Sequence, residues 1–264
     1  MKGAALSKKM CAYCGQPGRS REHIFPTWLI EKTPDFTAKL SVAAGKVSQN
    51  EHVVYDVCEP CNNGPLSLLD TYAKGLYERY FSTIVTSGEV EFSYDFARLT
   101  RWLLKVSFNA ARKARADATS FEAAIPYILG LDRQCPDRLL FLAEVVTPST
   151  IVRDGKESVI DPDDHRAGAM HFRGGPAFVF IKEGRFVALN SFYFYIVFLH
   201  EPLTGAIFNE LRPKFPFARR LLPDAQSIRL RPGRSYLEVK LAELGAHRDV
   251  YRAWHERGGV RRPK

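Results

Sequence analysis

Long apolar runs are missing from this chain. No segment reaches the ~18 uninterrupted apolar residues that a membrane-crossing helix needs. The nearest candidate, Phe186 to Leu199, is broken by Asn190 and Ser191 and reads as buried strand. No membrane partner is expected. No apolar stretch precedes Cys11 either, where Lys8 and Lys9 stand instead, so a secretory leader is not expected and a cytoplasmic location is. Beyond the first third of the chain there is no repeat, phosphate loop, dinucleotide fingerprint or nucleophile elbow. Nucleotide-dependent and serine-hydrolase chemistries thus have no sequence support. Cysteine is scarce, five in 264 residues. In a reducing compartment so few thiols are not expected to form disulfides.

Four of those five are paired. Cys11-Ala12-Tyr13-Cys14 and Cys58-Glu59-Pro60-Cys61 are two Cys-x-x-Cys loops with 43 residues between them. Each loop lets two sulfurs face one ion, and four thiolates match the tetrahedral site that structural Zn2+ prefers. Two disulfides or free thiols are the alternatives. Cys135, in Arg133-Gln134-Cys135-Pro136, reads as an ordinary free thiol.

Between the pairs lies Ser20-Arg21-Glu22-His23-Ile24-Phe25-Pro26, and Asn62 follows directly on Cys61. Glu22 and Asn62 are oxygen donors suited to a hard divalent cation with open positions for water and phosphate. His23, with a near-neutral reference pKa, suits a general base acting on the attacking water. Each residue also has a plain structural reading. His23 fits a core histidine, Glu22 an ion pair with Arg19 or Arg21, and Asn62-Asn63-Gly64 a turn.

The order Cys-x-x-Cys, Glu-His-Ile-x-Pro, Cys-x-x-Cys-Asn resembles HNH endonucleases of the zinc-containing ββα-metal kind, over about residues 8–72. The resemblance implies Glu22 and Asn62 as ligands of a catalytic Mg2+ or Mn2+, His23 as general base, and a structural Zn2+ on Cys11, Cys14, Cys58 and Cys61. The middle Asn of such families has no clear counterpart, and Asn50, His52, the Tyr55 hydroxyl or a backbone carbonyl could orient His23. The implied function is hydrolysis of phosphodiester bonds in nucleic acid, DNA before RNA. The alternative is a non-catalytic zinc module that binds nucleic acid or protein.

The formal net charge is +9. Residues 1–64 carry +2 of it, so +7 falls on the remaining 200. A basic surface attracts phosphate backbones. A helix is expected over Tyr94–Ala116. On a helical wheel Phe96, Leu99, Leu103, Val106 and Ala110 share one face. Arg98, Arg101, Lys105 and Arg112 share the other with Trp102 at its edge, a candidate nucleic-acid-binding row or a plain solvated face.

The expected architecture is α+β. An N-terminal zinc-stapled ββα-metal module spans 1–86, and a helical segment and a mixed α+β domain span 87–264. Strands are expected at 22–25 and 53–57, and a helix from Pro65 to about Val85. Ser67 and Asp70 on its first turns read as capping or surface residues. A third helix is expected over Ser120–Leu129. Strands follow at 139–146, 157–160, 168–173, 177–182, 185–190, 192–199, 228–230 and 236–241, with a hairpin turn at Lys182-Glu183-Gly184-Arg185. Short helices are expected over Thr204–Leu211 and Gly245–Arg257. Asp161-Pro162-Asp163-Asp164-His165 reads as turns more than as a metal cluster.

Overall fold

The computed structural model describes residues 10–32, 39–41, 46–48, 52–170 and 179–246. Asn50, most of the helix expected over Gly245–Arg257 and parts of the strands expected at 168–173 and 177–182 lie outside these residues. The described chain is mixed α+β with mainly antiparallel sheets. No described helix is long and apolar enough to cross a membrane.

The N-terminal part is a hairpin between two cysteine loops. Strand β1 (Ser20–His23) pairs antiparallel with β4 (Val53–Val57), with Glu22 opposite Val54 and His23 opposite Val53. A short helix α1 (Thr27–Ile30) follows β1. A further small hairpin, β2 (Lys39–Ser41) with β3 (Lys46–Ser48), lies between α1 and β4 in chain order. Helix α2 (Glu59–Cys61) passes through a turn at Asn62–Leu66, where Gly64 departs from helical geometry, into α3 (Ser67–Leu76) and on to Phe81. Pro65 sits just before α3, as a residue lacking an N–H can.

After β5 (Val90–Ser93) comes α4 (Phe96–Lys113), capped by Asp95, whose carboxylate accepts from the Arg98 N–H at 2.9 Å. Arg112 and Lys113 close its last turn, where cations suit the helix dipole. A 3₁₀ turn at Thr119–Ala124 and α5 (Ile125–Ile128) stand where one regular helix was expected. Pro126 supports only a first helical turn there.

The C-terminal half is a six-stranded sheet. Its strands are β6 (Leu139–Thr147), β9 (His165–Met170), β10 (Ile181–Leu189), β11 (Phe192–Leu199), β12 (Arg219–Arg220) and β14 (Arg234–Ser235). The order is β12-β6-β11-β10-β9, with β14 pairing parallel to β6. β6 and β11 are buried almost throughout because both sheet faces are covered, with Glu144 of β6 held by Arg234 and Tyr195. Phe141, Ala143, Val145, Phe192, Phe194 and Ile196 join the core under α4, while Leu140, Leu142, Val146, Tyr193, Tyr195 and Val197 join a second core. That second core is closed by α6 (Gly205–Leu211) and α7 (Tyr236–Ala246). The hairpin β7 (Ser149–Arg153) and β8 (Lys156–Ile160) turns at Asp154-Gly155, both with positive φ. Strand β13 (Ser227–Leu230) pairs with β5.

Two expectations are corrected. Residues 182–185 are not a turn: β10 runs through them, with Gly184 opposite Val197, and the reversal falls at Asn190, whose φ is +50°. Residues 236–241 are helical, not a strand, because they begin α7 on the second core. Under α4, one apolar cluster runs from Cys11 to Leu230.

Candidate metal centre and Glu-His strand

The first cysteine loop is a tight knuckle. Cys11 N–H donates to the Gln16 carbonyl at 2.8 Å and Gly15 N–H to the Cys11 carbonyl at 2.9 Å, with Gly15 at φ +69°. Ala12 N–H donates to the Asp56 carbonyl at 2.8 Å, which docks the knuckle on β4. Gly18 lets the chain pass against the second loop, because a Cβ there would sit 2.5 Å from that of Cys58. In the second loop Cys58 caps α2 and Cys61 lies one turn on, so both sulfurs share a helix face.

The four sulfurs of Cys11, Cys14, Cys58 and Cys61 lie within 4.8 Å of one another. Cys14 and Cys58 Sγ are 3.5 Å apart, and none of the four is in a disulfide. Zn–S bonds of about 2.3 Å in a tetrahedron give S···S edges of about 3.8 Å, so the cluster could hold a metal ion such as zinc. Burial raises the Cys11 thiol, but hydrogen bonds from the backbone of Cys58, Cys14 and Tyr13 outweigh it and hold the thiol down to about 7. Burial pushes Cys58 and Cys61 up, so they surrender protons readily only to a metal or another cation. Among the described residues this is the one group of three or more such donors.

Asn62 and the Glu-His strand lie side by side. The Asn62 side-chain N–H donates to Ser20 Oγ at 3.0 Å and to the Arg21 carbonyl at 3.1 Å. The start of the helical segment is thereby pinned to β1. His23 is half-buried at the end of β1, while its neighbour Glu22 is buried. Successive strand residues face opposite sides, so the two side chains diverge. Of the groups considered for orienting His23, the Tyr55 ring is exposed and covered by Arg19 at 5.5 Å. The His52 carbonyl accepts from Ile24 N–H at 2.7 Å beside His23.

The chain matches no family model, no curated protein and no solved structure. Its chemistry is therefore read from its own geometry.

Glu22 meets neither Arg19 nor Arg21 in an ion pair. Its Oε1 accepts from Lys105 Nζ at 2.6 Å and from Asn109 Nδ2 at 3.2 Å. Lys105, fully buried, also reaches both carboxylate oxygens of Asp70, at 2.9 and 2.8 Å, and Trp102 Nε1 donates to Asp70 at 3.1 Å. Burial disfavours the Lys105 ammonium, but Asp70 and Glu22 outweigh it and hold it charged beyond the ordinary lysine range. Asn109 Oδ1 accepts from the Tyr13 hydroxyl at 2.8 Å and from Arg112 at 2.5 Å, and Arg112 pairs with Asp56 at 2.6 Å. One polar network therefore joins the cysteine knuckle, the Glu-His strand, α3 and α4.

This divides the expected cationic row. Lys105 and Arg112 point into the network, and Trp102 is buried with them. They do not face solvent because α4 is covered on two sides: by α3 and β4 here, and by the large sheet opposite. Arg98 is exposed and Arg101 half-buried. Arg98 lies 5.8 Å from the Tyr72 ring centre, and Arg101 donates to the Asp132 carbonyl at 3.0 Å and covers the Tyr127 ring. Asp70, expected as a cap or surface residue, is a member of the network, a role signalled only by its helical alignment with Leu66 and Ala73. Ser67 is exposed.

Two cavities lie elsewhere. One, of about 830 Å³, opens at the start of α4 beside Cys135 and Pro223–Gln226. The other is a groove of about 370 Å³ between α3, α4 and α5. Neither is lined by Glu22, His23 or Asn62. Asp164 is not a free turn residue: it binds Tyr236 and Lys240 at 3.0 and 2.8 Å and pairs with Arg166, so it fastens α7 to the sheet.

Proposed function

We propose that this chain is a zinc-stapled endonuclease of the HNH kind, hydrolysing phosphodiester bonds in nucleic acid, DNA foremost, with His23 as general base. The observation that carries the reading is the docking of Asn62 on β1, which sets the residue after the last cysteine beside the Glu-His strand. The order knuckle, hairpin, helix with cysteines at both ends agrees with it. A structural Zn2+ on Cys11, Cys14, Cys58 and Cys61 would hold that arrangement, and free thiols accord with a cytoplasmic setting.

In this reading His23 takes a proton from the attacking water. The water oxygen forms a bond to phosphorus, the bond to the 3′ oxygen breaks, and solvent protonates the leaving oxygen. A Mg2+ or Mn2+ ion, with Glu22 and Asn62 as the resemblance assigns them, would supply positive charge to the scissile phosphate. The fit is uneven: Asn62 lies at the strand, but Glu22 is buried with Lys105 against its Oε1.

The second reading, a non-catalytic zinc module that binds nucleic acid or protein, is favoured by that same buried Glu22–Lys105 pair. Plasmid incubated with the protein and Mg2+ or Mn2+ separates the two. Nicking that disappears in His23→Ala, with zinc content unchanged, supports the nuclease. No product from DNA or RNA with zinc bound supports the binding module.

A further inference from the structure

We propose that the groove between α3, α4 and α5 is a binding site for unpaired nucleic acid, taking one base between its apolar walls and the flanking phosphates on Arg98 and Arg101. The inference rests on the nucleic-acid reading above and deepens it by naming the substrate class. The walls are Leu69 and Leu68 of α3 on one side and Ile128 and Leu129 on the other. Arg98 and Arg101 line the groove and no aspartate or glutamate does, although at the rim Arg98 also stands 3.7 Å from the Asp95 carboxylate in an exposed pair. Leu68 is 71 % exposed, so apolar surface is left uncovered at the rim.

The two arginines are held in place. Arg98 lies over the Tyr72 ring and Arg101 over the Tyr127 ring, at 5.8 and 4.7 Å. Gly130 at φ +76° makes room for the second, because a Cβ there would come within 3.3 Å of its guanidinium. The arginines stand one helical turn apart on α4, and so face one side. Prepositioned cations cost little ordering on binding an anion.

The apolar lining selects the form of nucleic acid. A duplex keeps its base faces stacked inside and offers an outer surface only of phosphate and groove edges. An unpaired base exposes a flat apolar face, which such a groove can bury. Aliphatic walls carry few hydrogen-bond partners, so binding is expected to tolerate any base.

The test is fluorescence anisotropy with labelled oligothymidine and with a labelled duplex, without added divalent ion. The proteins are the wild-type full chain, Arg98→Glu, Leu68→Asp and His23→Ala. Both groove substitutions fall on exposed side chains. Expected are tighter binding of oligothymidine than of duplex and about tenfold weaker oligothymidine binding in each groove variant. In Arg98→Glu the salt slope should fall by about 1, and His23→Ala should bind as wild type. Groove variants that bind oligothymidine as wild type does, or a preference for duplex, overturn the proposal. So does a wild type that ignores oligonucleotides but retains a labelled peptide of alternating Glu and Leu through Arg98. Plasmid cleavage is read separately. Cutting with unaltered oligothymidine binding removes the groove alone, and groove-dependent binding without cutting removes the catalysis alone.

Discussion

The two sides of α4 are built from opposite materials. Toward the sheet the helix presents Leu99, Leu103, Val106 and Ala110 to an apolar core rich in phenylalanine. Toward the cysteine knuckle it presents Trp102, Lys105, Asn109 and Arg112 to Glu22, Asp70, Tyr13 and Asp56. Apolar packing is non-directional and tolerates adjustment. A buried charge network holds only when every member is present. The difference teaches that the metal centre and Glu-His strand are attached to the rest of the molecule by directional bonds that fix their orientation.

The largest effect expected on this contrast comes from the metal. Cys58→Ser, or chelation of the wild type, should release one zinc per chain and cost several kcal/mol, since structural zinc supplies folding free energy to its module. Hydrogen exchange should then rise in 10–76 and stay slow in β6 and β11. A uniform rise would mean the two sides of α4 do not differ. Next, Lys105→Met strands the carboxylates of Glu22 and Asp70 and should cost about 3–5 kcal/mol in urea unfolding. Leu103→Ala on the other side should cost about 2–5. The contrast lies in rescue: adding Glu22→Gln and Asp70→Asn should recover most of the Lys105→Met loss, whereas no polar change rescues Leu103→Ala.

The smallest effect concerns His165, buried on β9 with its ring 5.5 Å from that of Tyr77. Burial lowers its pKa to about 4, with Asp164 opposing. A histidine that charges less readily when folded contributes stability fully present above the unfolded value of ~6.5 and lost as pH falls toward the folded one. Between pH 7 and 4.5 wild type should lose about 2 kcal/mol more than His165→Gln in urea midpoints. Equal losses would sink the assignment.

Much of the local chemistry was legible in the sequence. The Cys-x-x-Cys spacing brought four sulfurs together because each loop is a self-contained turn. The Asp95-capped helix appeared within a few residues of its expected ends because its apolar period is strong. Asp154-Gly155 is a two-residue hairpin signal, and it forms the β7–β8 turn with positive φ at both residues. A helical wheel places Lys105 in an outward row, nucleic-acid-binding or solvated, because it records position on one helix and not what packs on both sides. Its place was foreshadowed only by alignment with Trp102 and Asn109. The 182–185 turn was misplaced because Gly184 looks like a turn residue, while the left-handed position belongs to Asn190.

The most direct measurement of the central claim is plasmid cleavage in Mg2+ or Mn2+ by wild type and His23→Ala at equal zinc content. The account predicts nicked or linear product from wild type and a drop of about 10²-fold or more in the variant, the scale of a lost general base. Equal cutting by both proteins, or none by either on DNA and RNA, would contradict it.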